Sequence, residues 1–95
     1  MPTSSTAATE FGARIRARRQ RLGISQETLA DLSAMHWTAV GRLERGNGNP
    51  TLAVILRIAA GLDIDPAELV AGLDAQPVVR VHPADEVRAQ RGYGG

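Results

Sequence analysis

The chain contains no cysteine and no lysine, three aromatic residues in 95, and no long apolar run. Without cysteine it can build neither a disulfide framework nor a thiolate metal site. With two histidines in all, a metal centre is not expected, and no cofactor is expected either. No stretch approaches the roughly 18 apolar residues that a membrane span needs. The small, polar start from Met1 to Thr9 lacks the charged and apolar regions of a secretory signal. A cytoplasmic protein with no membrane partner is therefore expected. Enzyme signatures are missing too: no paired-histidine spacing, no nucleophile elbow and no phosphate-binding glycine loop. These absences argue against an enzyme.

What is present is one domain's worth of chain, with a core small enough that pairing with a second copy would add useful stability. The formal net charge of +1 hides an asymmetry. Phe11 to Arg57 carries eight arginines against Glu27, Asp31 and Glu44, whereas Ile58 to Gln76 carries four carboxylates and no basic residue. A positive first half and an acidic second half suggest a polyanion facing one side. Every cation is arginine, which forks well onto phosphates and guanine edges. A coding bias in an alanine-rich chain would leave the same set, so charge alone does not assign a partner.

The apolar spacing is helical almost throughout, with clear punctuation. A first helix places Phe11, Ile15, Arg19 and Leu22 on one face and should stop at Gly23. Ser25 can cap a second helix with Leu29, Ala30 and Leu32 inward. The turn Ser33 to Met35 leads to a third helix, from about His36 to Arg45, with Val40 and Leu43 buried and Gly46 closing it. Residues Gly46 to Pro50 form a loop by composition. Thr51 can cap a fourth helix bearing Leu52, Ile55, Leu56, Ile58, Ala59 and Leu62. Asp65, Pro66 and Glu68 open a fifth, which should run to about Leu73. After Asp74 the texture changes. Pro77 to Pro83 is a short β-type run, residues 83–90 could make a turn or two of helix, and no internal repeat is present.

Two short helices joined by a three- or four-residue turn have the spacing of a helix-turn-helix. Here the chain resembles the helix-turn-helix family of the phage lambda repressor and Cro, also called the xenobiotic-response-element family. The matching residues are Ser25 to Ala30, Val40, Leu43 to Gly46 and Asn49 to Leu52, continued by Leu62, Asp63, Pro66 and Leu69. Within the family it looks most like small stand-alone regulators, including restriction–modification controller proteins. The resemblance implies an all-α, five-helix DNA-binding domain over residues 9–74. Residues 1–8 would be a flexible N-terminus, and 75–95 a tail that could hold a β-strand and a short helix.

If Val40 and Leu43 face inward, Trp37, Thr38, Gly41, Arg42 and Arg45 project outward on a face free of acid. Such a helix suits the major groove. Trp37, Thr38, Gly41 and Arg42 are the candidates for base reading, with Arg42 forking onto guanine. Thr38 could touch a thymine methyl or a phosphate, or simply fill surface. Trp37 could lie against thymine methyls or pack on the second helix. Gly41 could permit close approach of backbone to DNA or tight packing on a neighbouring helix. The resemblance implies phosphate contacts at Gln26 and Arg45. Asn47 and Asn49 are further phosphate candidates, unless they only accommodate the turn. The resemblance also implies that Arg19 and Glu44 form a partly buried structural ion pair. Arg14, Arg16, Arg18 and Arg21 are expected to form a solvated face. Ala34 departs from the family pattern, standing where glycine is usual in the turn, so it must tolerate a left-handed conformation or shift the turn.

One recognition helix covers only a few base pairs, so the implied form is a homodimer on a two-fold symmetric operator of double-stranded DNA. The fourth and fifth helices could supply the partner surface. The tail offers a second route, through Val78, Val79 and Val81 pairing across the axis, unless that strand folds back on its own domain or stays disordered. The expected function is a sequence-specific transcriptional regulator, of the repressor type. The alternative is an antitoxin of the same fold that binds DNA and also neutralises a protein partner.

Overall fold

The computed structural model describes residues 6–74, and these form five α-helices. They are α1 (Thr6–Leu22), α2 (Gln26–Leu32), α3 (Trp37–Glu44), α4 (Leu52–Leu62) and α5 (Pro66–Val70). Helix starts leave backbone amides without partners, and a short polar side chain just ahead can satisfy one of them. Ser25 Oγ accepts from the Thr28 amide (3.0 Å), Thr51 Oγ1 from Val54 (3.2 Å) and Asp65 Oδ1 from Ala67 (2.8 Å). For α3 the same service comes from His36, whose Nδ1 accepts from the Thr38 amide at 3.2 Å.

The first four helices end alike. In each, a left-handed residue turns the chain so that its own amide and the next one donate back to the last carbonyls of the helix. The left-handed residues are Gly23, Ala34, Gly46 and Asp63, with φ between 55° and 78°. The returning bonds from the following residue run from Ile24 to Arg19, Met35 to Ala30, Asn47 to Arg42 and Ile64 to Ala59, at 2.9–3.3 Å. In three of the four that residue is apolar and packs against the core. Ala34 thus adopts the left-handed conformation, and the turn keeps its shape.

Burial of Phe11 and Ile15 from α1, Leu29 and Ala30 from α2, and Val40 and Leu43 from α3 joins Ile58, Ala59 and Leu62 of α4 and Leu69 of α5 in one core. Each large side chain hidden there stabilises the fold by about 1.5–3 kcal/mol. Two glycines let helices approach closely. A Cβ on Gly12 would strike the carbonyls of Leu43 and Glu44 in α3, and one on Gly61 would strike the Ser33 hydroxyl beneath α4.

Several sequence expectations change. Leu22 and Leu32 lie outward rather than in the core, with Leu32 59% exposed, because no other helix among the described residues covers them. Leu52 and Leu56 of α4 are likewise exposed. Helix α5 ends at Val70, short of Leu73, and α1 starts at Thr6, ahead of residue 9. Arg14 and Arg18 are not a merely solvated face. Arg14 Nη1 donates to the carbonyls of Leu69 (3.3 Å) and Ala71 (2.7 Å), and Arg18 to those of Leu62 (3.0 Å) and Asp63 (3.3 Å). These two guanidiniums satisfy the C-terminal carbonyls of α4 and α5 from the side of α1. The expected tail strand and short helix, with Val78, Val79 and Val81, lie outside the described residues. Among the described residues no helix is long and apolar enough to cross a membrane.

Candidate nucleic-acid interface

Helix α3 is amphipathic, with Val40 and Leu43 in the core and Trp37, Thr38, Arg42 and Arg45 exposed on the opposite side. Its single acid, Glu44, does not share that surface. Its side chain is only 4% exposed and takes a two-pronged ion pair from Arg19, which is itself 13% exposed. Arg19 Nε donates to Glu44 Oε2 at 2.6 Å and Nη2 donates to Oε1 at 3.0 Å. Charge-assisted forks of this kind are roughly twice as strong as neutral hydrogen bonds. The bond to Glu44 also holds the Arg19 guanidinium above the ordinary arginine range, although burial opposes that rise. A raised value of this sign keeps the Arg19 guanidinium charged through neutral and mildly alkaline pH, so it is no switch near neutrality.

The pair has a third member. Gln26, at the start of α2, donates from Nε2 to Glu44 Oε1 at 3.0 Å. An amide nitrogen carries two hydrogens, so one remains to meet a phosphate. Arg19 Nη1 adds a bond to the Ile24 carbonyl at 2.9 Å, which fixes the turn into α2. One carboxylate therefore locks α1, α2 and the end of α3 together, directly behind the outward face.

Gly41 sits within this arrangement rather than in the open. It is buried, and a Cβ there would lie 3.1 Å from Arg45 Nη1 and 3.6 Å from Gln26 Oε1. The missing side chain makes room for Arg45 to fold back over α3 beside Gln26. Two expected phosphate ligands, one from each helix of the motif, converge there. Arg42 reaches the other way, with Nη2 3.8 Å from the position of a Cβ on Gly48. The loop that holds Asn47 and Asn49 is tied to α3 by the Asn47 amide, which donates to the Arg42 carbonyl at 3.0 Å. Asn47 is half-buried and Asn49 exposed. Trp37 is 52% exposed and stacks on His36, with ring centroids 5.9 Å apart.

Neither Arg42 nor Arg45 forms an ion pair among the described residues. Sequence reasoning missed the roles of His36 and of Gln26 towards Glu44. The capping role of His36 had a signal, its place just before an amphipathic run, but histidine is not among the favoured capping types. Gln26 gave none, since its partner lies 18 residues away.

A helix-turn-helix with an acid-free cationic face defines a class, and comparison with known proteins places the chain within it. A family described as a helix-turn-helix domain matches residues 10–71, and the chain belongs to that family. It is 43% identical over 44 residues to an uncharacterized HTH-type transcriptional regulator of Haemophilus influenzae, a match that takes in 46% of this chain and 45% of the relative. The chain thus matches less than half the length of that regulator. Among solved structures, the restriction–modification controller protein C.AhdI of Aeromonas hydrophila superposes with a TM-score of 0.64 at 48% identity. That match covers 65% of this chain and 94% of the controller protein. The P22 c2 repressor protein, solved in complex with a synthetic operator, superposes with a TM-score of 0.61 at 32% identity, covering 65% of this chain and 94% of the repressor chain. The chain is thus similar to regulators of this type, and the family that matches it is a helix-turn-helix family.

Proposed function

We propose that the chain is a sequence-specific regulator that binds double-stranded DNA as a homodimer on a two-fold symmetric operator. The observation that carries this reading is the sorting of charge on α3 and its cap: Glu44 is turned inward and neutralised by Arg19, while Arg42 and Arg45 are exposed and form no ion pair among the described residues. Arg42 reads a base edge in the major groove, flanked by Thr38 and by the ring of Trp37. Arg45 and the second amide hydrogen of Gln26 grip phosphates, with Asn47 and Asn49 as further phosphate ligands; these contacts set register without specifying sequence. Gly41 serves by leaving space for Arg45.

The second copy binds along α4. Leu52 and Leu56 are 70% and 47% exposed, and Ala60 continues the stripe at the next helical repeat. Dimers of this class present their recognition helices to half-sites about 34 Å apart, or multiples of that. Selection of bound sequences from random duplexes should return a two-fold symmetric consensus, and sedimentation should give a dimer that Leu56→Glu dissociates. A consensus without symmetry, or a monomer that binds as tightly as the parent, would refute the dimeric form. Failure to enrich any sequence would refute the function.

A further inference from the structure

Thr38 and His36 carry a constraint on which base atoms the interface can accept. Two atoms of Thr38 approach the same ring nitrogen of His36: the backbone amide at 3.2 Å and the side-chain Oγ1 at 2.8 Å. A backbone amide can only donate, so in the neutral imidazole that accepts it His36 Nδ1 holds the lone pair and the ring proton sits on Nε2. The threonine hydroxyl, facing that same lone pair, must then direct its hydrogen at it. What remains on Oγ1 is acceptor capacity alone. The ring is further fixed by its stack on Trp37, at an interplanar angle of 26°. Thr38 itself is exposed on the outward face of α3.

We propose that His36 sets the hydrogen-bond polarity of Thr38, so that Thr38 reads an exocyclic amino group, adenine N6 or cytosine N4, in the major groove. Those amines are the donors there; guanine N7 and O6, adenine N7 and thymine O4 are acceptors. Phosphate oxygens, acceptors as well, are refused on the same ground. His36 is a positioning residue and Thr38 the specificity-determining one. The inference rests on the reading of α3 as the DNA-contacting helix.

The test uses the full chain and the operator selected from random duplexes. At each symmetric position, the N6 amino group of adenine or the N4 amino group of cytosine is replaced by hydrogen, and 7-deaza purines serve as the opposite change, removing an acceptor. At one position, amino removal should weaken the parent about threefold to tenfold, the worth of one hydrogen bond. Thr38→Val should lose the same factor on the unmodified operator and show no further loss on the amino-deleted one. His36→Ala frees the hydroxyl and should reduce that discrimination below about twofold, whereas His36→Asn, which keeps an acceptor at the cap, should restore it. Thermal melts identify any variant that fails to fold, and the Thr38→Val arm stands without the His36 variants. If Thr38→Val suffers from amino removal as much as the parent, or if Thr38 accounts instead for sensitivity to a 7-deaza purine, the polarity assignment is wrong while DNA binding stands. If no duplex is enriched, both fall.

Discussion

Ala34 holds a left-handed backbone, with φ of 55°, at a cost of roughly 1–2 kcal/mol for a residue bearing a Cβ. Replacing it by glycine relieves that strain but adds freedom to the unfolded chain, worth about 0.4–1 kcal/mol in the other direction. Ala34→Gly should therefore raise stability by about 0.5–1 kcal/mol in urea melts. Operator affinity should not change, since the residue lies in the turn and only its backbone matters. The two exposed arginines of α3 should behave differently from each other. Arg42→Ala should relax preference at one symmetric position, at a cost of about 1–3 kcal/mol against the preferred base. Arg45→Ala should weaken binding to all sequences alike. Competition binding against a panel of operator variants separates the two, and equal relaxation by both would remove the division of labour.

At the level of elements, the packing of α1 on α3 depends on Gly12. A Cβ there meets main-chain oxygens, 2.8 Å from that of Glu44, and a helix backbone cannot yield as a side-chain tip can. Gly12→Ala gains about 1 kcal/mol of helix propensity but forces the helices apart, so a net loss of about 2 kcal/mol is expected from denaturant unfolding. Arg19→Ala strands the buried Glu44 carboxylate, leaving Gln26 as its remaining hydrogen-bond donor, and should cost about 3 kcal/mol. A loss under about 1 kcal/mol would mean that water replaces the guanidinium freely.

Much of this layer was legible in the chain. Ser25, Thr51 and Asp65 announced helix starts because short oxygen-bearing side chains cap whatever the tertiary context. Gly23 and Gly46 announced ends because a left-handed turn selects glycine. Asp63 takes the same conformation without glycine, and the only hint was the apolar Ile64 after it, which packs on the core. Leu22 and Leu32 were misplaced because helical spacing reports one apolar stripe, not whether a neighbour exists to cover its edge. Within the interface, Arg42 and Arg45 could be assigned an outward direction from Val40 and Leu43 alone. The covering of Gly41 by Arg45 and Gln26 could not, since it depends on where α2 meets α3.

For the molecule as a whole, phosphate neutralisation makes affinity fall with salt in proportion to the cationic contacts made. A plot of log affinity against log salt should flatten by about one unit for each Arg45 removed, hence by about two in a dimer. Arg42→Ala should flatten it less if its guanidinium faces a base rather than the backbone. Unchanged slopes for Arg45→Ala would place that side chain away from phosphate.

The carboxylate of Glu44, holding Arg19 and Gln26 at once, has a kinetic corollary. The helices that meet the duplex are braced before any ligand arrives, so capture requires no ordering step ahead of it. Observed association rates should then climb linearly with duplex concentration and show no ceiling. A variant in which that carboxylate is lost, Glu44→Ala, should bend the line towards a plateau, as the helices first have to find their mutual arrangement.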